Sequence, residues 1–166
     1  MTESNLEVTV MPDRDMELSV LEESARAAID HARELGADGS EVSASIHYGL
    51  DVNVRKGEVE TLEHSRDSGF GVSVFIGDSK GHATSGDLRP GSIRLCVEKA
   101  IDIARFTQAD SSNGLAQVDR LATEFPDLDL WHPRPLDVES TVKRALVCEA
   151  AGLENPKISN SDGASA

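Results

Sequence analysis

The stretch GFGVSVFI, residues 69–76, constrains the fold of this chain more than any other segment. Its apolar residues occupy alternate positions: Phe70, Val72, Val74 and Ile76. An alternation of period two is typical of a β-strand that buries one face. Gly69 and Gly71 fall on the other face and leave it without side chains, so we expect a second backbone or a helix to approach it closely.

The glycines around this strand do not form a phosphate-binding loop. A dinucleotide fingerprint needs a third glycine and a following helix, but Val74 stands where that glycine is required. The segment 81–86 has the glycine spacing of a P-loop, yet Asp87 and Leu88 replace its Lys and Ser/Thr. An aspartate at that position repels phosphate. We therefore interpret residues 77–81 as a hairpin loop whose glycines supply positive φ values.

The periodicity along the rest of the chain predicts an α+β fold. Short alternating segments predict strands at about 42–48, 52–54, 59–62, 69–76 and 81–85, with turns at Gly49 and Gly57. Repeats of three and four residues predict helices over 16–35, from Pro90 to about 104, and over 138–152, with Asp15 and Asp137 as N-caps and Gly36 as a C-terminal stop. We expect an antiparallel four- to five-stranded meander with helices packed on one face, followed by a C-terminal helix and a truncated tail.

The same pattern predicts four regions: a flexible N-terminal arm (1–15), an α+β domain (16–107), an irregular linker (108–136), and a helix with the start of a truncated following region (137–166).

The acidic composition excludes several kinds of partner. The formal net charge is -14, and phosphate contacts need clustered Lys and Arg, so we expect no direct nucleic-acid or membrane partner. No apolar run is long enough to span a membrane, and the N-terminus lacks the pattern of a signal peptide. The expected location is cytoplasmic. Cys96 and Cys148 have no ligand-type spacing, so we expect two reduced thiols.

The sequence by itself reveals no active site. The five histidines are scattered, without an HExxH or HxH pair, so no catalytic, cofactor-binding or metal-ligating residue is predicted. His64 lies beside Arg66 and Asp67 at the end of a predicted strand and is a candidate polar contact. The candidate structural, partner or peptide contacts are Gly69, Gly71, Gly81 and His64.

Several motifs in order resemble the N-terminal domain of the TldD/PmbA family, the TldD/TldE metalloproteases. They are GADGSEVSAS, VRKGEVETLEHSRDSG and SGFGVSVFIGDSKGHATSGDL, and, matching the PmbA (TldE) branch, KAIDIARFTQAD, FPDLDLWHP and ISNSDGAS. The similarity runs from about Leu18 to Ala166.

The resemblance implies a subunit of a cytoplasmic two-subunit protease, TldD with TldE, that cleaves unfolded peptides and the leaders of peptide precursors. Its zinc is expected in the TldD-type partner, bound by an HExxxH motif and a cysteine. This chain contains no HExxxH, so it is expected to bind no cofactor and to be inactive alone, as a fragment of a longer product. The expected role is a scaffold that lines the peptide cavity, with a TldD-type subunit or a second copy as partner.

An alternative interpretation makes the chain a non-catalytic acidic interaction module that acts without protease assembly. It corresponds to the older family label, modulator of DNA gyrase. The acidic surface argues against direct DNA contact under either interpretation.

Overall fold

The computed structural model describes residues 13–134 and 136–166. The helices are α1 (Arg14–Glu34), α2 (Pro90–Phe106) and α3 (Val138–Leu153), with a 3-10 turn at Val118–Arg120. The strands are β1 (Gly39–Arg55), β2 (Glu58–Ile76), β3 (Ser79–Ser85) and β4 (Ala164–Ser165). Residues 1–12 of the predicted N-terminal arm lie outside the described residues.

The strands form a four-stranded sheet in the order β3-β2-β1-β4. β2 pairs with β3 and β1 pairs with β4 in antiparallel fashion. The predicted α+β class with an antiparallel sheet is confirmed. The chain divides into two compact units: a helix–sheet unit of residues 13–46 and 67–130, and a hairpin unit that contains residues 47–66 and the described residues from Trp131 onward.

The two long strands differ from the shorter ones that the sequence predicts. β1 continues through Gly49, and β2 continues through residues 63–68. Gly49 does not turn the chain; it makes room for a neighbouring side chain, because a Cβ there would lie 2.6 Å from the Ser65 hydroxyl oxygen. The interruption at Gly57 is confirmed, since Lys56 (φ 55°) and Gly57 (φ 77°) form a two-residue turn with both φ values positive.

Most of the core lies in the helix–sheet unit. Its buried residues come from α1, β2 and α2: Ala28, Ala32, Phe70, Val72, Val74, Ile93, Cys96, Val97, Ala100, Ile101 and Ala104. The predicted apolar stripe of α2 is therefore confirmed, and so is the inward face of the strand over 69–76. In α1 only Ala28 and Ala32 are buried, whereas Leu18 remains 41% exposed.

The hairpin that joins β2 to β3 is shorter than the sequence predicts. Only Gly77 and Asp78 separate the two strands, and Gly77 has a positive φ of 54°. Gly81 lies within β3 and has no positive φ, so that part of the interpretation is wrong. A Cβ at Gly81 would overlap the carbonyl oxygen of Ala100 and lie 2.6 Å from the amide nitrogen of Ala104. Gly81 is thus the position where α2 approaches the sheet backbone.

The hairpin unit has a smaller core of its own. Val52 and Val54 on β1 are buried with Ala145 on α3. The carboxyl-terminal residues of the sequence join this unit as a strand, because Val52 and Ala166 exchange two backbone hydrogen bonds of 3.0 Å. Around this core pack Leu50, Val142, Leu146, Ala164 and Ala166.

The helix ends follow ordinary capping chemistry. α1 begins two residues earlier than predicted, because Asp13, not Asp15, accepts hydrogen bonds from the amides that follow it. Gly36 (φ 92°), Pro90 in the first turn of α2 and the Asp137 cap of α3 agree with the sequence prediction. Within the described residues, none of the helices combines the length and the apolar character that a membrane crossing requires.

Candidate functional site

The face of β2 that carries Gly69 and Gly71 borders a shallow polar groove in the helix–sheet unit. Phe70 and Val72 point into the core from the same strand, so the alternation that fills the core also strips the other face. A Cβ at Gly69 would lie 3.1 Å from the Ser45 hydroxyl, and a Cβ at Gly71 would lie 3.0 Å from the Ser43 hydroxyl. Each glycine therefore opposes a serine of β1.

The groove has a volume of about 430 Å³ and is open to solvent along its length. Its floor and walls come from β1, β2, β3 and the residue that follows β3: Ser43, Ser45, Ser68, Gly69, Phe70, Gly71, His82, Thr84, Ser85 and Gly86. Apart from His82, the lining residues carry no titratable side chain. Such a surface offers hydroxyl donors and acceptors of hydrogen bonds without a fixed charge, which suits a neutral polar chain such as a peptide backbone.

His82 is held in place at one wall of this groove. Its Nδ1 lies 3.1 Å from the Ser73 hydroxyl oxygen, and Ser73 is buried. On the same wall, the Ser68 hydroxyl donates a hydrogen bond of 2.5 Å to the carbonyl oxygen of Gly86. The sequence pattern did not single out Ser73 or His82, because only the β2–β3 register, Ser73 opposite His82, brings them together.

The four sequence candidates do not form one site. Gly69 and Gly71 share the groove, whereas Gly81 lies on the helix-facing side of β3 against Ala100. His64 belongs to the hairpin unit, where it is exposed on β2.

A second cavity, of about 380 Å³, lies between α1 and α2. Its lining is mostly apolar, with His31, Glu23, Ser24 and Arg94 as the polar members. His31 faces two carboxylates, with Nδ1 3.4 Å from Glu34 Oε2 and Nε2 3.6 Å from Glu98 Oε1. The sequence suggests only the first of these contacts, through the three-residue spacing on one helix.

One titratable group of the helix–sheet core is perturbed by burial alone. In α2, burial raises the pKa of the Cys96 thiol, and Cys96 and Cys148 are both free thiols, as expected. Among the described residues, no three His, Cys, Asp or Glu side chains lie close enough together to hold a metal ion.

A comparison with protein families matches residues 40–104 to PmbA/TldA metallopeptidase domain 1. This segment contains both glycines of the groove and α2 as far as Ala104. Metalloprotease PmbA of Escherichia coli O157:H7 is 37% identical over 161 residues, which cover 96% of this chain and 36% of that protein. The chain belongs to the PmbA/TldD family.

A second curated relative supports the same family. The metalloprotease PmbA homolog of Haemophilus influenzae is 38% identical over 89% of this chain and 34% of its own length. The chain therefore spans about a third of the length of the curated relatives that it matches.

Two solved structures share the fold of the chain. TldE from Thermococcus kodakarensis has a TM-score of 0.60 at 13% identity, over 80% of this chain and 30% of that one. A structure described as a modulator of DNA gyrase from Bacteroides thetaiotaomicron has a TM-score of 0.66 at 18% identity, over 83% and 31%.

Proposed function

We propose that this chain is the N-terminal scaffold and peptide-cavity domain of a PmbA (TldE)-like subunit in a TldD/TldE-type metalloprotease. The substrates of that assembly are unfolded peptides and the leader segments of peptide precursors. The family match over residues 40–104 supports the family, and the relatives named PmbA support the PmbA-type subunit. The relatives named metalloprotease PmbA support proteolysis as the activity of the assembly.

The groove at Gly69 and Gly71 is the observation that carries the peptide part of this proposal. Two glycines side by side with serine hydroxyls leave space for a second backbone on a sheet face that has no charged wall. An extended peptide presents neutral N–H and C=O groups at regular intervals, and the hydroxyls of Ser43 and Ser45 can pair with either kind of group.

The outer edge of β3 supports the same role. β3 is the last strand of the sheet, so on the side away from β2 its backbone has no strand partner among the described residues. The segment after α2 is tied to the turn that precedes β3, where the Asp110 amide donates to the Asp78 carbonyl oxygen at 2.9 Å. The edge over 80–85 remains available for main-chain pairing with an extended peptide.

The proposal assigns the metal chemistry to the partner subunit. The sequence contains no HExxxH, and the described residues bring no three suitable side chains together for a zinc ion. In such an assembly the zinc would activate water for peptide hydrolysis. The residues of this chain would hold the peptide extended and orient it.

Co-purification tests the assembly. The chain, co-expressed with a TldD-type, HExxxH-bearing subunit from the same genome, is expected to co-purify with it. The pair should hydrolyse oxidised insulin B chain, and a chelator should abolish this hydrolysis. The isolated 166-residue chain serves as the matched control and should show no hydrolysis with or without zinc. Stable expression of both proteins without co-purification would contradict the proposal and favour an interaction module that acts alone.

Backbone amide shifts test the groove separately. Titration of the ¹⁵N-labelled chain with oxidised insulin B chain should shift the amides of residues 43–45, 68–71 and 80–86. Amides on the exposed face of α1, such as Glu22, provide the internal reference. Shifts that are absent from the groove and from β3 would remove the peptide-contact role and leave the assembly test unaffected.

A further inference from the structure

The first half of β2 has an open edge in the hairpin unit. β2 begins at Glu58, but β3 pairs with it only from Phe70 to Ile76. The sheet order places β3 on that side of β2 and no other described strand there. Along residues 58–65, called the β2 edge below, the main-chain groups that point away from β1 therefore have no strand partner in the described chain.

The opposite edge of the same hairpin already binds a strand. β4 pairs with β1 in the register Asn53↔Ser165 and Val54↔Ala164, and Val52 exchanges two backbone hydrogen bonds with Ala166. The hairpin is therefore regular enough to support main-chain pairing along one side. The β2 edge is the corresponding surface on the other side.

Neither face of the β2 edge is covered. Val59 is 46% exposed and Leu62 is 44% exposed, and their odd spacing places them on opposite faces of the strand. An added strand would thus find an apolar side chain beside it on each face. Diagonal and direct cross-strand contacts of this kind stabilise strand pairs.

The negative charge of the β2 edge favours a positively charged partner. Residues 58–65, EVETLEHS, contain three glutamates and neither Lys nor Arg. Glu60 lies 3.9 Å from Arg55, and both side chains of this pair are exposed. Like charges opposite one another destabilise strand pairs and opposite charges stabilise them. Pairing of two copies along this edge would bring glutamates together, whereas lysines on an added strand would complement them.

We propose that the β2 edge is a docking surface for an extended basic peptide, a segment with Lys or Arg at alternate positions that adds as a strand next to residues 58–65. The main-chain groups of the edge supply the hydrogen bonds, and Glu58, Glu60 and Glu63 supply the charge preference. The surface uses none of the residues that line the groove. It therefore does not depend on the proposed function.

The probe is a nine-residue peptide of alternating lysine and threonine or valine, titrated into the full ¹⁵N-labelled chain. We expect shifts of the amides of residues 58–65, weaker binding at high salt, and no binding of the same peptide with glutamate in place of lysine. Two further peptides, N-methylated at odd or at even positions, test strand addition. Only one of the two should lose binding, because only alternate N–H groups of a strand face its neighbour.

Variants of the chain that lack three glutamate charges test the charge preference of the β2 edge. The triple variant Glu58→Gln, Glu60→Gln and Glu63→Gln should bind the lysine peptide about tenfold more weakly. It removes the glutamates of both strand faces, Glu58 and Glu60 on one and Glu63 on the other, and so every opposite-charge pair that the lysines can make along the edge. The control removes the same charge elsewhere, with Glu22→Gln, Glu23→Gln and Glu139→Gln, and should bind as the unmodified chain does. Backbone amide spectra of both variants check that the fold is retained.

Three outcomes would overturn the inference. They are equal weakening of binding in the two triple variants, equal binding of both N-methylated peptides, and shifts confined to residues outside the β2 edge. A fourth is a dimer in analytical ultracentrifugation whose formation protects the amides of residues 58–65, since the edge would then belong to a second copy of this chain.

Discussion

The Glu149 carboxylate accepts a hydrogen bond of 2.9 Å from the backbone N–H of Gly57, which precedes it by 92 residues. Its other oxygen accepts a second bond of 2.9 Å from the N–H of Lys56. Both donors belong to the tight turn between β1 and β2, where positive φ values turn successive N–H groups toward one point. A buried carboxylate on α3 thereby fixes the tip of the hairpin.

Replacement of Glu149 by Gln should destabilise the hairpin unit at neutral pH. The amide oxygen of Gln can accept one of the two backbone hydrogen bonds, but its NH₂ group cannot accept the other. Chemical denaturation followed by circular dichroism measures the loss of stability. Glu154→Gln, at the exposed end of the same helix, is the control and should leave the unfolding midpoint unchanged.

The stabilisation that Glu149 provides should also depend on pH. The N–H groups of Gly57 and Lys56, followed by the Ser161 hydroxyl, hold the pKa of Glu149 below its ordinary value of 4.5. Because folding lowers this pKa, the stabilisation is present above the ordinary value and is lost as the pH falls through the folded one. The difference in stability between the unmodified chain and Glu149→Gln should therefore shrink with acidification. A difference that is constant from pH 7 to pH 3 would contradict this assignment.

Substitution of Gly81 by Ala should destabilise the helix–sheet unit by about 3 kcal/mol, because the new methyl group meets a helix backbone that cannot move independently. The contact is with the carbonyl oxygen of Ala100. Thermal unfolding provides the measurement. Gly91→Ala is the matched control: a Cβ there would meet nothing within 4 Å, and alanine favours the helix, so it should be neutral or slightly stabilising.

Residues on α2 that face opposite sides offer a test of the core. Ile101 is 1% exposed and Ile103 is 45% exposed. Ile101→Ala should reduce the free energy of unfolding by about 3 kcal/mol, because it removes buried methyl groups and leaves a cavity. Ile103→Ala on the same helix should cost well under half as much. Similar losses for both variants in urea denaturation would show that the two faces of α2 are equally buried.

How far the sequence predicts this fold depends on whether a signal is local. The alternation over 69–76, Pro90 at the start of α2 and Asp137 at the start of α3 are local, and each is confirmed. The signals at Gly49 and Gly81 are not local. A single sequence does not distinguish a glycine that a turn requires from a glycine that leaves room for a neighbouring residue. Their roles depend on Ser65 and Ala100, which are distant in the chain.

Part of the candidate site follows from the sequence, and part of it depends on how the strands pair. The pattern identifies Gly69 and Gly71 as residues that leave one face of the strand bare. The serines that oppose them, and the pair of Ser73 and His82 in the wall, depend on strand register. Register is set by packing across the whole sheet, and no motif in the sequence reports it.

The groove itself yields the last prediction. Gly71→Val should fill the space next to Ser43 and prevent the peptide-induced shifts of the groove amides, at a cost of about 1–3 kcal/mol from crowding. The double variant Ser43→Ala, Gly71→Val separates the two effects, because it removes the hydroxyl that would lie 3.0 Å from the new Cβ. Its stability should be partly restored while peptide binding stays lost. Ser43→Ala alone fills nothing and removes a single hydroxyl, so it should weaken binding slightly without abolishing it. Recovery of binding together with stability in the double variant would mean that strain, not occupation of the groove, caused the loss.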